Sequence, residues 1–184
     1  VGQLGPDQLA AANGYRPVAE RGELDRWILS ELHQATDTVV ACMDQYDNYG
    51  AAGTLNGFVD ALSNWYVRRS RDRFWSDEAG SQETQDAYWP LYECLLTTAR
   101  LIAPFTPFLA DLIWQTLAGV FADRTLCSVH LSDYPVADEE MIDSQLSEQM
   151  ALLREIASLA RSARMESQLK VRQPLASMEV VLSD

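Results

Sequence analysis

Leu24-Asp25-Arg26-Trp27-Ile28-Leu29-Ser30-Glu31-Leu32 opens the run whose reading decides the fold. From Glu23 onward, Leu24, Ile28, Leu32, Ala35, Val39, Cys42, Met43 and Tyr46 recur at three- and four-residue steps, the signature of one apolar face on an α-helix. Tyr49-Gly50 punctuates that run, and a second helical pattern follows from about Ala51 to Arg71 or beyond, with Leu55, Phe58, Val59, Leu62 and Tyr66 facing inward. A polar, glycine-containing stretch at 76–83 reads as a loop. A third helix spans Asp86 to Ala103, with Tyr88, Leu91, Leu95, Ala99 and Ile102 on one side. Thr106-Pro107 then pairs an N-cap residue with proline at the first helical position, starting a fourth helix that runs to Leu117 and closes at Gly119.

Four amphipathic helices joined by modest loops can bury their apolar stripes only against one another, so the expected fold is an all-α, antiparallel helical bundle over residues 23–135. Residues 1–22 contain Gly2, Gly5, Pro6, Gly14 and Pro17, show little periodicity, and read mostly as a linker. Beyond the bundle, Ser128–Pro135 is an extended connector, and Asp133 to Glu148 carries six acids and no base. A fifth helix reads through Leu146, Met150, Leu153, Ile156 and Ala160 to about Arg164. Lys170–Pro174 breaks it, and Met178, Val180 and Leu182 alternate as in a half-buried strand. Residues 136–184 are therefore expected to form a short α/β extension. Val1 in place of an initiator methionine, and an ending inside that strand-like run, predict a piece of something longer.

The chain has 184 residues, 47% of them hydrophobic, enough for a real core. Its net charge of −13 excludes a general nucleic-acid coat protein and an anionic membrane partner, while leaving room for a small, locally basic contact. No apolar run approaches the eighteen residues of a membrane span. Cys42, Cys94 and Cys127 are odd in number and far apart, which suits reduced thiols in a cytoplasmic protein. With His33 and His130 as the only histidines, neither a zinc site nor a Ser–His–Asp set can be assembled, and no glycine-rich loop follows a strand. No catalytic residue and no cofactor site can be nominated.

What does stand out is Asn64-Trp65-Tyr66-Val67-Arg68-Arg69-Ser70-Arg71-Asp72-Arg73-Phe74-Trp75: four arginines and four aromatic rings in twelve residues, on an acidic background. Arginine brings charge and planar donors for phosphates and base edges, and exposed rings stack on unpaired bases. On a continuous α-helix, Asn64, Arg68, Arg71 and Trp75 share one outward stripe, while Arg69 and Arg73 continue the core side towards the bundle's tip. Arg73 there could pair with an acid or with a phosphate. Arg26 and Trp27, at the start of the first helix, would lie near the end of the second and could widen the same surface, although Trp27 reads first as partly core. The candidate RNA-binding residues are thus Arg68, Arg71 and Trp75, followed by Arg73, Arg26, Trp27 and Asn64. The plain alternative is a helix end tied down by ion pairs. Arg161, Arg164, Lys170 and Arg172 form a second basic region, read as a counterweight to the acids at 133–148.

Asn64–Trp75 together with Ala87-Tyr88-Trp89-Pro90-Leu91-Tyr92-Glu93-Cys94-Leu95-Leu96 resembles the C-terminal part of class I isoleucyl-tRNA synthetases. So do Ile102-Ala103-Pro104-Phe105-Thr106-Pro107-Phe108-Leu109-Ala110-Asp111-Leu112-Ile113-Trp114, Ser128-Val129-His130-Leu131-Ser132-Asp133-Tyr134-Pro135, the opening Leu24–Ser30 and the late Lys170-Val171-Arg172-Gln173-Pro174-Leu175. The resemblance runs from about Glu23 to Leu182. Single pieces are shared with valyl, leucyl and methionyl relatives, and the combination is isoleucyl in character.

The resemblance implies an anticodon-binding helical domain that grips the anticodon stem-loop of tRNA(Ile), followed by the start of a C-terminal junction region. It also implies a parent isoleucine–tRNA ligase whose catalytic domain, a second partner, uses ATP with Mg. The ATP-site signatures His-Ile-Gly-His and Lys-Met-Ser-Lys-Ser are missing here, so this stretch by itself is not expected to catalyse ligation. The rival from another class is a helical protein-interaction module, because Arg and Trp are also hot-spot residues of protein interfaces. A nearer rival is the equivalent domain of a valyl-, leucyl- or methionyl-type synthetase.

Overall fold

The computed structural model describes residues 15–75, 81–118 and 128–181. These form two compact units, the first running to Asp143 and the second starting at Ser144. In the first unit, α1 spans Glu23–Asp44, and α2 starts at Asn48 and runs to Asp60, continuing through a π-helical stretch, Ala61–Val67. A four-residue helix, α3, covers Arg71–Phe74; α4 is Gln82–Ile102 and α5 Pro107–Ala118. Helix α1 packs on α2 and on α4, and α4 packs on α5, the expected all-helical bundle.

Local chemistry accounts for the boundaries. Asp47 caps α2 by accepting the Gly50 amide proton at 2.9 Å. A Cβ at Gly50 would run into that carboxylate, so any side chain there would push the cap aside. The chain leaves α1 through Tyr46 at φ 59°, a left-handed residue that ends the helix two residues short of the expected Tyr46 and leaves that ring 91% exposed. Ser81 caps α4 by accepting the Thr84 amide proton, and α5 begins at Pro107 as the Thr-Pro pair predicts. Its closure at Gly119 lies outside the described residues, as does Cys127.

The core follows the periodic stripes, with displacements. Val39, Ala51, Leu55 and Leu101 form one buried cluster with Cys42, Met43, Ile102 and Phe105 against it. Ala110, Trp114 and Val129 form another, backed by Leu96, Ile102 and Ala103. Helix α1 contacts both α2 and α4, so its buried stripe widens to include Trp27 and Leu29, both fully buried. Val59 and Tyr88, expected inside, are 45% and 50% exposed. On α4 Ala99 is buried as expected, and the first half of the helix buries Asp86, Ala87, Trp89, Pro90 and Cys94 in place of Tyr88.

Residues 15–22, expected to be linker, form a strap on α4. Arg16 pairs with Asp86, its Nε donating at 3.1 Å. The buried Arg21 guanidinium lies 3.4 Å from Glu93 and 4.7 Å from the Tyr15 ring centroid, and Tyr15 meets Trp89 edge-on. Burial pushes the Glu93 carboxyl up, against the opposing pull of Arg21. The strap is held by partners about seventy residues away, so no local periodicity announces it.

In the second unit, α6 spans Ser144–Glu166 and ends through Gln168 at φ 54°. Arg164 donates through one nitrogen to the carbonyls of Lys170, Val171 and Gln173 at 3.1, 3.2 and 2.9 Å, folding the following turn back onto the helix end. The strand expected around Met178–Leu182 is not present among the described residues, which run without regular structure to Val181. An alternating pattern makes a strand only when a neighbouring strand takes up its backbone hydrogen bonds, and the described part of this unit supplies none.

Candidate nucleic-acid interface

The arginine–aromatic cluster does not sit on a continuous α-helix. The π-helical turns of Ala61–Val67 shift the angular phase of everything after them, and the helix breaks at Ser70. Ser70 is fully buried and its carbonyl accepts from the amides of Arg73 and Phe74 at 3.0 and 3.1 Å, starting α3 in a tight turn. Its hydroxyl has no hydrogen-bond partner among the described residues. A single wheel from Asn64 to Trp75 therefore does not apply.

One side of the cluster faces inward. Asp25, in the first turn of α1 and 1% exposed, accepts hydrogen bonds from Arg73 Nη1 at 2.8 Å, Arg73 Nη2 at 2.7 Å and the Tyr66 hydroxyl at 2.8 Å. Tyr66, fully buried, also lies 2.8 Å from the Ala87 carbonyl oxygen. Burial first, then the charge and hydrogen bond of Asp25, push the Tyr66 phenol far above its ordinary range, so it stays protonated. For Arg73, burial alone would lower the pKa, and the hydrogen bonds and charge of Asp25 outweigh it and hold it above the usual arginine value. Phe74 packs edge-on against Tyr66 and Tyr88, and the Tyr88 hydroxyl donates to the Phe74 carbonyl at 3.3 Å.

The other side faces solvent. Trp75 is 71% exposed, with the Arg71 guanidinium 5.6 Å from its ring centroid. Arg69 lies 5.3 Å from the Trp65 ring centroid. Arg68 is exposed and has no polar partner among the described residues. Two arginine–tryptophan pairs thus stand on the outside of the segment joining α2 to α3. Each joins a cation to a ring at a spacing where the ring's quadrupole attracts it.

Of the seven sequence candidates, Arg68, Arg71 and Trp75 are on this outer side. Asn64 is exposed too, but its amide donates to Asp60 at 2.6 Å on the same helix. Arg26 is half-buried in the first turn of α1. Trp27 is fully buried, donates its indole N–H to Glu31 at 3.1 Å, and offers no face to a base. Arg73 is committed to Asp25. A cleft of about 580 Å³ beside it is lined by Arg16 and Arg73 but also by Glu23, Asp25, Glu83 and Asp86, an acidic balance that repels phosphate. An ideal wheel puts Arg69 on the core side and so hides its pairing with Trp65; their spacing of four residues is the available signal.

The model of the anticodon-binding domain of tRNA ligases matches residues 25–180. The chain belongs to that family. Among relatives of this anticodon-binding domain, the isoleucine–tRNA ligase of Dehalococcoides mccartyi is 50% identical over 88% of the chain and 16% of the relative. That of Thermobifida fusca is 50% identical over 85% of the chain and 14% of the relative. The Deinococcus radiodurans enzyme is 46% identical over 95% and 15%. The chain thus spans about a sixth of the length of these relatives. No helix among the described residues is long and apolar enough to cross a membrane, and no group of three or more His, Cys, Asp or Glu side chains among them could hold a metal ion.

Proposed function

We propose that this domain reads the anticodon stem-loop of tRNA(Ile) as part of an isoleucine–tRNA ligase, with Arg68, Arg71 and Trp75 as its principal contacts and Trp65 with Arg69 as a second platform. The observation that carries this reading is the exposed Arg71–Trp75 pair, a ring and a cation with no acidic partner among the described residues, on the outer side of a chain in the anticodon-binding family. Unpaired loop bases can stack on such a ring, each worth roughly 1–3 kcal/mol, while the guanidinium groups meet phosphates. The chain's overall negative charge keeps non-specific RNA binding low, leaving selection to the local patch. Formation of the aminoacyl-adenylate from ATP with Mg, and transfer to the tRNA, would fall to other parts of the parent ligase.

Titration with an isoleucine-type stem-loop, alongside loops of altered anticodon, tests this at two salt concentrations. The reading expects selective binding that weakens with salt, with a log–log slope near −2 for about three phosphate contacts on a single-stranded loop. Equal, weak binding to every loop would overturn it. A valyl-, leucyl- or methionyl-type assignment would show as preference for that anticodon instead.

One further observation favours a protein contact in addition. Helix α5 leaves Phe108 91% and Leu112 64% exposed at positions four apart, an apolar pair with no arginine beside it among the described residues. They suit the catalytic domain of the same parent chain, an association expected to tolerate salt and to weaken in Phe108→Ser.

A further inference from the structure

Helix α3 has four residues and cannot sustain itself, because a helical nucleus costs more than one turn of hydrogen bonds returns. Its orientation must come from side chains that tie it to the bundle. Phe74 supplies packing against Tyr66 and Tyr88, which is not strongly directional. The directional tie is the two-pronged pair from Arg73 to Asp25, a fork geometry that fixes the guanidinium plane as well as its position. Asp25 in turn is seated rigidly: it lies on the 22-residue α1, is nearly fully buried, and takes a third hydrogen bond from Tyr66.

The spacing Arg71-Asp72-Arg73-Phe74-Trp75 gives that tie its consequence. At about 100° per residue, Arg71 and Trp75 both lie two steps from Arg73, roughly 160–200° around the helix, and four apart from each other. Drawing Arg73 inward therefore turns Arg71 and Trp75 outward together, stacked as a pair. Free the guanidinium and, besides the single 3.3 Å hydrogen bond from the Tyr88 hydroxyl to the Phe74 carbonyl, no directional side-chain tie among the described residues is left to keep them there.

We propose that Asp25 is a positioning residue for RNA recognition: by gripping Arg73 it sets the rotation of α3 and so presents the Arg71–Trp75 pair to the RNA loop. Asp25 does not touch the RNA itself. This rests on the reading of that pair as the RNA contact, and the test separates the two.

Asp25→Asn and Arg73→Lys are compared with Trp75→Ala and with the Trp75→Ala double variants, by stem-loop affinity and by amide hydrogen exchange without RNA. Asn removes the charge and one acceptor. Lys keeps the positive charge but cannot make the fork. The expected result is that each weakens stem-loop binding by roughly 5- to 150-fold, the worth of one stacked base. Adding Trp75→Ala should then cause at most about a further twofold loss, since both act through one contact. In Arg73→Lys the salt slope should become shallower by about 0.7, the share of the phosphate contact that Arg71 makes when the pair is presented, whereas a phosphate contact made by residue 73 itself would survive as lysine and leave the slope unchanged. The amides of Arg73, Phe74 and Trp75, bonded to Ser70 and Arg71 carbonyls, should exchange faster while those of α4 do not. Should Asp25→Asn fail to fold, Arg73→Lys carries the same comparison. Additive losses, or unchanged exchange at 73–75, overturn the positioning role and leave the RNA contact standing. A Trp75→Ala variant that binds as well as the parent chain removes the RNA contact itself, and the inference with it.

Discussion

Trp27 and Trp75 are both tryptophans beside an arginine in the same region of one helical bundle, yet they do opposite work. Trp27 sits on α1, fully buried, its indole N–H satisfied by Glu31 one turn on. Trp75 ends α3, mostly in solvent, paired with Arg71. The arginines divide the same way: Arg73 is neutralised by Asp25, while among the described residues Arg71 has a ring and no acid as its partner. A cluster that reads as one basic, aromatic patch is thus two halves back to back, one holding the bundle's tip together and one open to solvent. Composition alone gives both halves the same signature; burial and the presence of a carboxylate partner tell them apart.

The comparison breaks first at its buried side. Trp27→Ala should destabilise the bundle by about 3–5 kcal/mol, the cost of emptying a tryptophan-sized core site, readable as a lower denaturant midpoint. Among molecules still folded, its stem-loop affinity should match the parent chain. A stability change within about 0.5 kcal/mol, the range of ordinary surface substitutions, would contradict the core assignment.

Ser70→Ala sharpens the boundary between the halves. The buried hydroxyl has no partner among the described residues, and leaving such a group unsatisfied costs roughly 1–3 kcal/mol. Removing it should leave stability unchanged or raise it by up to about 1 kcal/mol, since the smaller side chain keeps the tight turn. Thermal unfolding checks this, and a clear loss of stability would mean that the hydroxyl is in use.

A smaller effect lies away from both halves. His33 Nδ1 accepts the Asp138 amide proton at 3.0 Å, and burial lowers its pKa, with Asp138 pulling the other way. A histidine held neutral in the fold contributes stability that is complete above its unfolded value of about 6.5 and falls away as pH drops below it. His33→Gln keeps an acceptor that does not titrate. Its stability should therefore vary less than the parent chain's between about pH 6.5 and 5.

How much of this the sequence discloses depends on how local the cause is. The helices are legible because Ile28, Leu32 and Val39, or Leu55, Phe58 and Leu62, repeat at the helical period, and the period follows from burial on one face. The Thr106-Pro107 start is legible because capping is a near-neighbour effect. The strap at 15–22 is not, since Arg16 and Arg21 find Asp86 and Glu93 only after the bundle has formed. The π-helical stretch is equally silent, and it undoes the wheel that grouped Asn64 with Arg68, Arg71 and Trp75. Trp27, readable as partly core or as part of the basic surface, is wholly core because a helix touching both α2 and α4 buries more than one narrow stripe. The C-terminal alternation misleads for the converse reason: Met178 and Val180 have the period of a strand without a described neighbour to pair with. Candidate residues on the outer side were found by chemistry, and their geometry came from contacts across the fold.

The central claim is that the outward pair binds RNA without holding up the fold, and Trp75→Ala measured twice tests it most directly. In one arm the melting temperature is compared with the parent chain. In the other, affinity for an isoleucine-type anticodon stem-loop is titrated at fixed salt. The account predicts a stability change within about 0.5 kcal/mol and a loss of binding worth roughly 1–3 kcal/mol. Unchanged affinity, or a loss explained by unfolding, would contradict it.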